Sequence, residues 1–240
     1  MDQAYCGPAP TPESLAVAWN ADLVAIALCA VLAGLHLATR KRGRGPLAIS
    51  VVLLLLLFVS PLCALTVALF SARAAHHVVL IAGVAPLLAL AFAPRCGEAP
   101  RFSPTLLAGA HAAILWFWHA PEVYAAAVVN PFLYWLMQGS LLGSAFLLWR
   151  GVFGLRDPGP ALFALLATIV QMGMLGALLT FARQPLYAPH FLTTDAFGLL
   201  PLDDQQLAGI IMWVPAALPY VIAGLILLAM RFPVPARTAR

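Results

Sequence analysis

Charged side chains are few in this sequence. Asp, Glu, Lys and Arg make up 9% of its 240 residues, hydrophobic residues make up 63%, and the mean hydropathy is +0.94. Soluble domains carry about 25% charged and about 45–50% apolar residues, so this chain lacks the polar surface that a water-soluble monomer needs. Intrinsic disorder is excluded too, because it requires low hydrophobicity. Acidic residues number 9 against 13 Lys plus Arg, and the resulting charge of +4 would suit a nucleic-acid partner. The placement of the cations argues otherwise. Arg40, Lys41, Arg42 and Arg44 directly follow an apolar run, where positive charge orients a chain in a bilayer. A lipid bilayer, not nucleic acid, is the expected surrounding.

Other absences narrow the class further. Cys6, Cys29, Cys63 and Cys96 form no CxxC pair and no zinc-finger spacing, which removes a redox motif and a structural zinc site. Residues 1–19 contain Asp2 and Glu13 but no Lys or Arg, so the basic region of a signal peptide is missing and the segment is expected to be retained as an extracytoplasmic tail. No internal repeat points to transporter halves. No hydrolytic triad, phosphate loop or nucleotide fingerprint occurs, and no enzymatic activity is expected.

Long apolar runs are what the sequence has instead. Crossing about 30 Å of hydrocarbon takes about 20 residues at about 1.5 Å each. Seven stretches qualify: 20–38, 46–70, 75–93, 103–119, 131–149, 161–182 and 205–230. They are continuously apolar and do not alternate as barrel strands do. The expected fold is all-α, a bundle of seven transmembrane helices over residues 20–232, with tails at 1–19 and 233–240. With the first basic cluster inside, eleven Lys and Arg residues face the cytoplasm and only Arg73 and Arg183 face out. The N-terminus is then outside and the C-terminal tail is cytoplasmic. Pro61, Pro86, Pro215 and Pro219 fall within spans, where each can kink its helix; ordinary bundle packing accommodates them, and a gating hinge is the other reading.

This orientation sorts the polar residues. His76 and His77 open the third span, His119 closes the fourth and His190 lies in the outer segment 184–204, so four of six histidines meet one face near Glu122, Asp195, Asp203 and Asp204. Imidazole is the commonest metal ligand and suits copper, zinc and iron, so an extracytoplasmic metal site is one reading. Half-wet rings at the membrane boundary are the other. Successive helical residues point about 100° apart, so His76 and His77 do not both face one cavity. His111, at mid-span, suits either a ligand or an interhelical hydrogen bond. His36 is interfacial. Met212 is a soft donor about 10 Å inward along its span, or a core filler. Asp203 with Gln206 resembles a capping box, leaving Asp204 for a metal or proton role. Segment 184–204 either lids the histidines or docks a partner.

Asp204-Gln205-Gln206-Leu207-Ala208-Gly209-Ile210-Ile211-Met212-Trp213-Val214-Pro215 resembles the DQQLxGxxMWxP signature of the multi-pass CtaG proteins, assembly factors for cytochrome c oxidase. Phe70-Ser71-Ala72 through His77, with Pro86 beyond, and Trp118-His119-Ala120-Pro121 resemble further pieces of that family. The family often shows two histidines four apart at the start of the third span. Here Arg73 stands at the first position and His77 keeps the second. The resemblance implies an inner-membrane factor that helps copper reach an oxidase subunit from the outer side, with oxidase subunits and a periplasmic copper chaperone as partners. The residues expected to serve it are His77, His119, His76, Asp204, His190 and Met212, with copper as the ion. Two other readings stay open: a b-type haem protein with histidines from two spans as axial ligands, and a structural oxidase-associated subunit without metal.

Overall fold

A computed structural model describes residues 4–39, 43–93, 102–155 and 157–231. Among these the chain is helical, with α1 (Leu23–Thr39), α2 (Arg44–Phe58), α3 (Pro61–Ala68), α4 (Phe70–Ala91), α5 (Pro104–Trp118), α6 (Pro121–Val129), α7 (Pro131–Gly154), α8 (Pro158–Thr180), α9 (Pro201–Trp213) and α10 (Leu218–Arg231). Eight of the eleven cations assigned to the cytoplasm, Arg40, Lys41, Arg42, Arg95, Arg101, Arg156, Arg237 and Arg240, lie outside the described residues, as do Cys96 and the expected tail 233–240.

Local chemistry explains where helices begin. Ser60, Ser103, Asn130 and Asp157 accept backbone N–H groups of Leu62, Leu106, Leu133 and Gly159 respectively. A proline follows each of them at the first helical position, where its missing N–H costs nothing. Pro61 therefore does not kink a span from within. It starts α3 after a break that bends the α2–α3 pair by 49°, and Pro121 does the same for α5–α6 at 75°. Pro86 follows a π-helical turn at Val79–Val84, and Pro215 opens a 3-10 turn between α9 and α10.

These breaks correct the span pattern. Among the described residues four helical stretches are long and apolar enough to cross a bilayer, Phe70–Ala91, Pro131–Gly154, Pro158–Thr180 and Pro201–Met230, the last running on through the 3-10 turn at Pro215, and the two bent pairs raise the number to six. The expected span 20–38 is the shorter apolar helix α1, the expected span 46–70 is cut by the restart at Pro61, and the expected span 103–119 is the unbroken helix α5, after which Pro121 starts the further helix α6. The third expected span begins at Phe70, five residues before the apolar run read from the sequence, because a partner from α9 caps it. This is a multi-pass membrane protein with four to six such spans.

The layering is inverted relative to a soluble bundle. Large apolar side chains of α1 and α10, such as Leu23, Val31, Leu35, Leu218, Ile222 and Leu225, are exposed, while all six histidines, Arg73, Asp204 and Gln205 are buried. Apolar surface turned to lipid has no cost, and polar groups retreat inside to find one another. α4 is the most buried of these four stretches, packed by α3 and α9 near its start and by α2 and α7 near its end. α9 also packs against α8.

Candidate functional site

The site is built on the start of α4. Leu69 is extended, which leaves the first N–H groups of α4 without intrahelical partners. Asp204 of α9 supplies the cap. Its carboxylate accepts the N–H of Phe70 at 2.6 Å, the N–H of Ser71 at 3.2 Å and the Ser71 hydroxyl. A carboxylate at a helix N-terminus is favoured by the helix dipole. Both oxygens of Asp204 are thus engaged in holding α4 rather than turned to the imidazoles.

Capping fixes the register of the residues that follow. Arg73 and His77 lie four apart and share a face of α4. The two adjacent histidines diverge as helical geometry requires: the ring of His77 lies 5.8 Å from that of His119, while His76 stands edge-on to Phe58 at 4.9 Å. His119 closes α5, and its Nδ1 donates to the Leu115 carbonyl at 2.7 Å. A carbonyl only accepts, so Nδ1 carries the hydrogen and the lone pair sits on Nε2. His77 Nε2 is contacted by the Gln138 amide of α7 at 3.4 Å. Both ring nitrogens of His76 are buried without hydrogen-bond partners.

The guanidinium of Arg73 lies in the middle of this group, 1% exposed. It sits over the Tyr134 ring at 5.4 Å, and its Nε and Nη1 have no hydrogen-bond partner. Tyr124 carries the arrangement to the outer segment, where its hydroxyl meets His190 Nε2 at 2.7 Å. Burial, and then the charge of Arg73, push His190 down to about 4, against the backbone carbonyls of Ala68 and Val67. His190 is therefore neutral at physiological pH.

Segment 184–204 lies over these residues and is anchored at several points. Tyr187 donates to the His119 carbonyl at 2.8 Å, Thr193 donates to the Ala68 carbonyl at 2.6 Å, and the Leu186 N–H donates to Gln205 at 2.6 Å. A cavity of about 220 Å³ lies between this segment, α8 and His119. Glu122, Asp195 and Asp203 are exposed, so the imidazoles gather without the carboxylates expected beside them. Met212 is buried on α9, and His111 hydrogen-bonds Ser144 of α7 at 2.8 Å through Nδ1.

Of the expected residues, the structure brings His77, His119 and His76 into one chain of ring contacts, with His190 reached through Tyr124. Among the described residues no three His, Cys, Asp or Glu side chains are placed to hold one ion. The rings of His77 and His119, 5.8 Å apart, are left as a candidate pair of donors. Sequence reasoning missed the tyrosines Tyr124 and Tyr134, which read as ordinary apolar-run residues. It also missed the bond between Cys6 and Cys63. The signal for that bond was there: with the N-terminus outside, both cysteines fall at the same end.

The signature in α9 has a structural account. Asp204 caps α4, and Gln205 and Gln206 hold residues 182–186. Gly209 lets α9 lie against Gly176 of α8: a Cβ there would meet the Gly176 carbonyl oxygen at 2.5 Å. Trp213 closes over Gly173 and Gly176. No curated protein and no solved structure matches the chain. Residues 101–232 match the family model described as cytochrome c oxidase caa3 assembly factor (CtaG), a region that holds His119, His190 and the α9 signature and begins after α4.

Proposed function

The chain belongs to the CtaG family of cytochrome c oxidase caa3 assembly factors, and from that premise we propose that it delivers copper to an oxidase subunit at the extracytoplasmic end of its helix bundle, in the inner membrane. All seven apolar helical units cross in this reading, α1 as a short span and each bent pair as one, which leaves the N-terminus outside and the C-terminus in the cytoplasm. The Cys6–Cys63 disulfide supports that orientation, since such bonds persist in oxidising compartments.

The observation that carries the proposal is the approach of His77 to His119 beneath an anchored outer segment, at the end where the disulfide lies. Two neutral imidazoles suit passage of a cuprous ion better than storage, and the buried charge of Arg73 opposes a long stay by any cation. Copper is the cargo here, handed over by a periplasmic chaperone and passed on to the oxidase. His76, His190, Asp204 and Met212 act in this reading by shaping and holding the path. A haem between His77 and His119 is disfavoured, because the cavity of about 220 Å³ beside His119 is too small for a porphyrin.

The test is oxidase maturation in cells at limiting copper. His77→Ala with His119→Ala should lower oxidase copper content and activity to the level of cells lacking the chain. Normal copper content in that variant would sink the histidine assignment. Co-purification in fixed stoichiometry with the mature oxidase would instead identify a structural subunit.

A further inference from the structure

Away from the histidines, Cys6 of the N-terminal segment and Cys63 in the first turn of α3 are joined across 57 residues of sequence, their α-carbons 5.4 Å apart. Hydrogen-bond donors converge on the two sulfurs. A disulfide carries no hydrogen, so the Tyr134 hydroxyl donates, at 3.5 Å to Cys6 Sγ and 3.9 Å to Cys63 Sγ. The Asn20 side-chain N–H₂ donates to Cys63 Sγ at 3.6 Å. Behind Tyr134 stands the guanidinium of Arg73, 5.4 Å from the ring centroid. Disulfide sulfur is a weak acceptor that gains little from such company. Thiolate sulfur gains much more, because donors and a nearby cation favour negative charge.

The segment that bears Cys6 also has contacts of its own. Tyr5 stacks on Tyr134 with centroids 4.4 Å apart, and its N–H donates to the Val128 carbonyl at 3.2 Å. These contacts keep the cysteines facing each other once the sulfur–sulfur bond opens. A cavity of about 600 Å³, lined by Tyr5, Cys6, Trp19, Asn20, Ala64 and Pro131 among others, brings an ion or a reductant to Cys6, the member of the pair on its wall, while Cys63 lies buried behind it.

We propose that Cys6 and Cys63, when reduced, form a two-thiolate site that takes up a cuprous ion, so that the thiol–disulfide state of this pair gates copper capture. The inference rests on the copper-delivery reading above and adds a site separate from the histidines. An extracytoplasmic dithiol reductant supplies two electrons and two protons: the Cys6–Cys63 bond breaks, two thiols form and the reductant becomes a disulfide. The two thiols then release two protons as their sulfurs bind one cuprous ion. Thiolate is the soft donor that selects cuprous copper. When the ion leaves, a disulfide oxidant accepts the electrons and the bond closes again.

Full-length protein in detergent, either oxidised or reduced with a phosphine that is then removed, is titrated with cuprous ion against a colorimetric chelator. The reduced form should hold one more cuprous ion per chain than the oxidised form, with two sulfur neighbours in X-ray absorption. Equal uptake by the two forms overturns the proposal, and this comparison needs no substitution. Cys29, a free buried thiol, is common to both forms and cancels. Cys6→Ser with Cys63→Ser should abolish the extra ion, and its retention overturns the assignment. His77→Ala with His119→Ala should keep it, and its loss from folded protein equally overturns the assignment. Failure of the parent reading looks different: oxidase copper content would then be normal in cells lacking the chain, whatever the sulfurs bind.

Discussion

Asp204 shows how a single side chain organises the site. Its carboxylate replaces the missing intrahelical partners of Phe70 and Ser71 in a buried setting. Asp204→Ala is expected to destabilise the protein by about 2–3 kcal/mol, with Asp204→Asn intermediate because one acceptor survives. Thermal unfolding in detergent checks this, and an unchanged midpoint for Asp204→Ala would refute the capping role. His190 carries a pH dependence. Its folded value of about 4 lies below its ordinary 6.5, so the unfolded chain binds the proton more tightly. Stability is fully present above about pH 6.5 and falls as pH drops towards 4, by on the order of 3 kcal/mol. His190→Gln should flatten that slope in denaturation profiles taken across the interval. The sequence placed His77, His119, His76 and His190 at one end from hydropathy alone. It did not reveal that Asp204 serves a helix start, since the capped residues are more than 130 positions away.

Helix contacts are decided by small residues. A Cβ on Gly209 would run into the Gly176 carbonyl oxygen at 2.5 Å and the Thr180 nitrogen at 2.7 Å, whereas one on Gly139 would meet nothing within 4 Å. Gly209→Ala should therefore force α9 away from α8 at a cost of about 1–3 kcal/mol, with the capping of α4 disturbed in turn. Gly139→Ala should be neutral or stabilise by up to about 1 kcal/mol through helix propensity. Equal unfolding midpoints for the two variants would contradict the close α8–α9 contact. Apolar runs were legible as helices because continuous hydrophobicity of that length has few alternatives. The break at Ser60–Pro61, inside the expected span 46–70, was not, nor was the further helix that Pro121 starts beyond the expected end at His119. A proline inside an apolar run reads equally as a tolerated kink or a restart, and the choice depends on whether a cap and neighbouring helices receive the new end.

At the scale of the molecule, the disulfide ties the N-terminal segment to α3. In the chain-entropy account, closing a loop of this size stabilises by roughly 4 kcal/mol, chiefly by restricting the unfolded chain, so reduction should lower the unfolding midpoint even while Tyr5 and its partners keep the segment in place. A midpoint unaffected by reduction would refute the cross-link's contribution to stability. Topology is testable in the same cells: a reporter that works only in the cytoplasm should be active when fused after Arg240, and a membrane-impermeant thiol reagent should reach Cys6, on the wall of the outer cavity, only after reduction from outside. Composition and run length by themselves determined that this chain is a helical membrane protein, and the α9 motif marked its kinship, because burial in lipid leaves a one-dimensional signal. Only tertiary structure decided that Arg73 sits among the histidines, that Asp204 caps α4 and that Cys6 meets Cys63. Those contacts join residues dozens to more than a hundred positions apart, and their partners are set by how helices pack, which no local pattern encodes.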